Sequence, residues 1–97
     1  MTKEQREQIR LSILRYCDCA DEFGLGEPLL LQFLRSEGFR ALNSARLHAE
    51  LVYLADKNFL VTVPKLISPE NRAWRITAAG RDFFATEAQN DSTGEAA

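Results

Sequence analysis

Cys17, Asp18 and Cys19 put two thiols and a carboxylate within three residues, which is half of a tetrahedral zinc site. Completing it takes ligands that the chain does not offer in any recognisable spacing. Its one histidine, His48, stands 29 residues beyond Cys19, and there is no second cysteine pair. Both cysteines are therefore read as reduced thiols, Cys17 buried and Cys19 at a helix end, with no metal and no cofactor. His48 and Glu50 form an acid–base pair on paper. No nucleophile, orienting group or glycine-rich phosphate loop accompanies them, so the chain is read as a binder and not an enzyme. What remains is positive charge that can reach phosphate: Arg40, Arg46, Lys65, Arg72 and Arg75.

That charge is hidden in the total. The 97 residues carry a formal net charge of −2, but residues 40–81 hold seven basic and three acidic side chains, while residues 82–97 hold four acidic and no basic ones. A basic middle segment matters only if it folds into one surface. Hydrophobic residues at 45% and charged residues at 27% are those of a globular chain, and 97 residues suffice for one core. No apolar run nears the roughly 18 residues of a membrane span, and Met1 to Glu7 have none of the apolar stretch of a signal peptide. A cytoplasmic protein with no membrane partner is the expectation.

Hydrophobic spacing supplies the elements. Ile9, Ile13, Leu14 and Cys17 make one buried stripe and predict a first helix over 3–18. Turn residues fill 21–26, Pro28 suits the first turn of a second helix over 27–37 that buries Leu30, Phe33 and Leu34, and Gly38 suits its end. Asn43 or Ser44 caps a third helix over 44–57 with Leu47, Leu51 and Leu54 inside, and Asn58 stands where a left-handed residue is wanted. Two β-rich stretches, 59–63 and 73–77, flank the turn sequence 68–71 and predict a hairpin. Pro64 cannot donate to a ladder and ends or edges the first of these strands. Thr77 caps a short fourth helix carrying Phe83 and Phe84. Residues 1–87 are thus one domain, and 88–97 read as a disordered acidic tail.

Helix, helix, helix, strand, strand, helix is the order of a winged helix-turn-helix domain, an α+β fold that is mainly α, with three helices, a two-stranded wing and a short C-terminal helix. Local motifs carry the same resemblance. Leu54-Ala55-Asp56-Lys57-Asn58-Phe59-Leu60-Val61 resembles the superfamily's Leu-x-x-x-Gly-Leu-[Ile/Val] junction, with Asn58 in place of glycine, and Ile76-Thr77-Ala78-Ala79-Gly80-Arg81 resembles its Leu-Thr-x-x-Gly-[Lys/Arg] entry into the last helix. Glu50-Leu51-Val52-Tyr53-Leu54-Ala55 followed by Leu60-Val61-Thr62-Val63 is similar to small winged-helix proteins of Mu-like phages and prophages. The resemblance covers most of residues 5–85 and implies the fold more strongly than the activity, since the superfamily includes repressors, activators and protein adaptors.

It implies a third helix that enters the DNA major groove. At about 100° per residue, Ala45, Ala49, Val52 and Asp56 fall opposite the core, His48 on one flank, Arg46 and Tyr53 on the other. Arg46 is the leading base reader, assisted by Asn43 and Ser44; the bland alternative pairs Arg46 with Glu50 one turn on. Arg40, Lys65, Arg72 and Arg75 are candidate phosphate contacts, completing a DNA-binding set with His48. Transcription regulation on double-stranded DNA is the function expected, and terminal-helix residues such as Leu11, Tyr16, Phe83 or Phe84 are compatible with a homodimer. The competing expectation is a protein-interaction module using Val52 and Tyr53, with Tyr53 packed on the first helix or the wing as the structural alternative.

Overall fold

A computed structural model describes residues 2–63 and 73–96, with no side-chain account of Asp21 or of 88–96. The apolar stripe read from sequence becomes helix α1, Lys3–Ala20, whose Ile9, Ile13, Leu14 and Cys17 are fully buried. A 3-10 turn, Asp21–Phe23, leads to a two-residue strand β1, Leu25–Gly26, and directly into α2, Glu27–Glu37, with Pro28 in its first turn. Helix α3 spans Ser44–Asp56, strand β2 Leu60–Val63, strand β3 Ala73–Ile76, and α4 Ala78–Ala96. The chain is thus mainly helical with a small antiparallel sheet ordered β1-β3-β2. The last helix is longer than the short one expected from sequence, and β1 is a third strand where a turn alone was expected.

Three local devices set the helix ends. Asn43 caps α3 by accepting a hydrogen bond from the Arg46 backbone N–H at 2.8 Å. Asn58 closes it with φ +65°, the left-handed conformation that lets Phe59 N–H reach Leu54 O and Asn58 N–H reach Ala55 O. The Thr77 hydroxyl then donates to Asn58 O at 2.6 Å while accepting from Gly80 N–H at 3.0 Å, so one side chain caps α4 and ties it to the end of α3.

Leu47, Leu51 and Leu54 of α3 meet Leu30 and Leu34 of α2, the α1 stripe, and Leu60, Trp74 and Ile76 from the sheet in a single core. Register pairs Leu60 with Ile76 and Thr62 with Trp74. Strand alternation therefore sends Trp74 and Ile76 to the helical side and Arg75, opposite Val61, to the other. Phe33, expected inside, is only half-buried and tilts against Tyr16 with ring centroids 5.2 Å apart.

Candidate nucleic-acid interface

Because Leu47, Leu51 and Leu54 fix one face of α3 to the core, the opposite face is set. Ser44, Ala45, Arg46, His48, Ala49, Val52, Tyr53 and Asp56 are all exposed, as the helical wheel predicts. At the start of α3, Asn43, Ser44 and Arg46 lie together with Arg40 just ahead in the α2–α3 connection, and all four are exposed. No ion pair among the described residues engages the Arg40 or Arg46 guanidinium. Arg46 does not pair with Glu50, contrary to the bland alternative.

Glu50 points inward instead. It is 1% exposed and held from α1 by Arg10, whose Nε–H donates to Oε2 at 2.7 Å, and by Arg6, whose Nε–H donates to Oε1 at 3.3 Å. The Arg10 guanidinium also lies 3.8 Å from the centre of the Tyr53 ring, and Lys57 Nζ 5.7 Å from it. A carboxylate thus pins the inner side of α3 to α1 while a tyrosine on the next turn covers the arginine that holds it. The signal for this was present: Glu50 falls three residues after Leu47 and four before Leu54, within the buried stripe, and Arg6 and Arg10 sit one turn apart on α1.

His48 turns to the start of α2. Its Nδ1 is 3.1 Å from Glu27 Oε2 at the start of α2, and the same oxygen accepts from the Trp74 indole N–H at 3.3 Å. The His48 ring stands edge-on to Trp74, centroids 6.5 Å apart. Buried Glu50 and exposed His48 therefore have separate partners and form no acid–base pair, and the His48 ring is engaged by Glu27. Arg75 lies on the sheet face away from Trp74 and the α3 contact, so it does not join the cluster at the α3 start. Lys65 and Arg72 lie outside the described residues.

The thiols behave as the sequence suggests. Cys17 is buried and free, Cys19 exposed and free, and burial pushes the Cys17 thiol up to about 12. The intervening Asp18 accepts from Arg81 Nε–H at 3.0 Å, linking α1 to α4. Among the described residues no group of three or more His, Cys, Asp and Glu gathers as a metal site, and no described helix is long and apolar enough to cross a membrane.

On the α1–α2 flank, burial by itself raises the Glu37 carboxyl, but hydrogen bonds from the Tyr16 hydroxyl and the Arg15 guanidinium outweigh it and hold Glu37 below its ordinary value. The two carboxylates of α2, Glu27 and Glu37, are thus both engaged. No protein-family model matches the chain, and neither does any curated protein or solved structure.

Proposed function

We propose that this chain is a small winged helix-turn-helix protein of the kind encoded by Mu-like phages and prophages, and that it binds double-stranded DNA to regulate transcription. The observation that carries the reading is the exposed, polar start of α3: Asn43, Ser44 and Arg46 with Arg40 beside them, on a helix whose other face is locked to the core. The helix order and the hairpin formed by β2 and β3 support it.

In this mechanism α3 enters the major groove by its first turns. The Arg46 guanidinium donates to guanine O6 and N7, and Ala45 and Ala49 meet thymine methyl groups. Arg40 holds a backbone phosphate on one side, and the hairpin, whose intervening segment contains Lys65 and Arg72, holds the backbone on the other. A fluorescence titration with mixed-sequence duplex at low salt tests the proposal. Binding at micromolar protein or below, weakened by Arg46→Ala and Lys65→Ala together, is expected; no binding, or binding indifferent to both changes, overturns it.

One observation favours a second reading, a protein-interaction module. Val52 and Tyr53 are each 39% exposed, and Tyr53 borders a groove of about 290 Å³ that also includes Leu11, Phe59 and Phe83. Its aromatic and apolar side chains stand beside two acids, Glu7 and Glu87, and two bases, Arg10 and Lys57, a mixture that suits a protein partner better than a phosphate. A partner retained by the wild-type chain in a pull-down and released by Tyr53→Asp, with no duplex binding, favours this module over the DNA binder.

A further inference from the structure

Three elements converge on the ring of His48, and the backbone fixes each of them. Trp74 lies in the middle strand, opposite Leu25 of β1 and Thr62 of β2, and is 5% exposed. Glu27 opens α2 one residue after Gly26, whose pairing with Ala73 brings the start of α2 beside Trp74. The indole N–H needs an acceptor once buried, and donates to Glu27 Oε2 at 3.3 Å. His48 reaches over from α3 and sets Nδ1 3.1 Å from the same oxygen and 3.3 Å from Oε1, its ring edge-on to the indole.

The chemistry of the partner places the hydrogen. A carboxylate only accepts, so Nδ1 carries the N–H. A neutral imidazole has one such hydrogen, which leaves Nε2, on the other side of the ring, with a bare lone pair. No described residue bonds to Nε2, and the side chain is 58% exposed. Among the described residues Glu27 is the titratable group that faces the ring. The pair carries one negative charge with the imidazole neutral and none with it protonated, so in neither state does it supply the positive charge that draws a phosphate. This flank of α3 presents an acceptor, where the Arg46 flank presents donors.

We propose that His48 Nε2 accepts a hydrogen bond from the exocyclic amine of an adenine or cytosine in the major groove, and that Glu27, seated on Trp74, is the positioning residue that keeps Nε2 an acceptor. Adenine N6 and cytosine N4 are the amines exposed in that groove, whereas guanine O6 and thymine O4 set an acceptor against an acceptor. The inference rests on the DNA-binding reading of α3 and adds to it a second base-reading position, opposite in hydrogen-bond sense to Arg46.

His48 is the chain's only histidine, so NMR of the imidazole nitrogens in the full chain reads a single ring. At a pH where that ring is neutral, the wild type shows the hydrogen on Nδ1. Glu27→Gln, whose amide can donate to Nδ1 as well as accept from it, moves the population towards the Nε2–H form. In selection from a random duplex pool, His48→Ala and Glu27→Gln both lose, severalfold, the same adenine or cytosine preference at one base position, distinct from the position relaxed by Arg46→Ala. Thermal unfolding verifies that the variants are folded, and His48→Ala, a change at an exposed position, carries the selection alone if Glu27→Gln is not. A wild-type ring with its hydrogen on Nε2, or unaltered base preference in His48→Ala, overturns the inference and leaves the α3 reading intact. Unaltered preference in folded Glu27→Gln overturns the positioning role. If the wild-type chain binds no duplex, the DNA reading and this base contact fail together.

Discussion

Arg10 Nε–H and Glu50 Oε2 meet at 2.7 Å across the α1–α3 interface, and the two partners differ in what they lose when separated. Glu50 is 1% exposed, Arg10 18% and Arg6 41%. Removing the carboxylate lets both arginines turn to water. Removing an arginine leaves a charge inside the protein with less compensation. This asymmetry, and not the count of ion pairs, sets the energetic role of the cluster.

Arg10→Ala is therefore expected to cost about 3 kcal/mol of stability, near the lower end of the range for breaking a buried pair. Glu50→Gln costs about 1–2 kcal/mol, because the amide still accepts a hydrogen bond and the arginines recover hydration. Urea denaturation of the two variants checks the order. A larger loss in Glu50→Gln than in Arg10→Ala contradicts the account of which partner depends on the other.

Gly80 is fixed by contact and not by backbone conformation. A Cβ there falls 2.8 Å from Ile76 Cγ1 and inside van der Waals contact of Phe59 O, the carbonyl that already accepts from Thr77 N–H. Alanine improves the intrinsic helix preference of α4 by about 1 kcal/mol. The displaced carbonyl outweighs it, and Gly80→Ala is expected to destabilise by about 1–3 kcal/mol overall. A melting temperature at or above that of the wild type shows that the α4 start can shift without loss.

Cys17 and Cys19 separate by reactivity. At pH 8 a thiol reagent modifies exposed Cys19 quickly, whereas Cys17 reacts only when the core opens. The folded chain keeps the Cys17 proton from its ordinary value of 9.0 up to about 12, a range in which the unfolded chain has lost it. This contribution to stability is complete below pH 9 and disappears as pH rises towards 12, with a maximum slope of about 1.4 kcal/mol per pH unit. Denaturation of wild type and Cys17→Ala over that range isolates it: equal pH slopes rule it out.

What the sequence disclosed was what depends on near neighbours. The stripe of Leu47, Leu51 and Leu54, the left-handed Asn58 and the Thr77 cap each follow from residues within a turn or so and stand where the pattern put them, and of the two candidate caps, Asn43 and Ser44, the structure uses Asn43. Contacts between distant segments were not disclosed. Spacing along the helix offers Glu50 a partner in Arg46, four residues away, as one alternative, whereas its partners lie 40 and 44 residues away. His48 turned to Glu27, 21 residues earlier, and β1 exists only because Leu25 and Gly26 pair with Trp74 and Ala73. The polar start of α3 was legible for the same reason as its cap. Arg75 followed its strand's alternation to the other face, a consequence of register that the order of residues alone does not fix.

Asn43 and Arg46 provide the last test, because neighbouring residues in the candidate interface have different work to do. The Asn43 side-chain oxygen is already committed to the Arg46 backbone N–H, so Asn43→Ala removes a cap and costs about 1 kcal/mol of stability before any ligand is present. The Arg46 side chain is exposed and outside every ion pair among the described residues, so Arg46→Ala changes stability by no more than about 0.5 kcal/mol. Under the proposed DNA-binding reading the order reverses on a duplex. Loss of a guanidinium at a guanine edge removes about 1–3 kcal/mol of discrimination and relaxes preference at one base position, while Asn43→Ser, which keeps the cap, leaves that preference in place. Thermal unfolding and selection from a random duplex pool, run on the same three variants, measure both quantities. If Arg46→Ala alters stability and Asn43→Ser alters base preference, the roles have been exchanged and α3 is held or read differently from the way its first turn suggests.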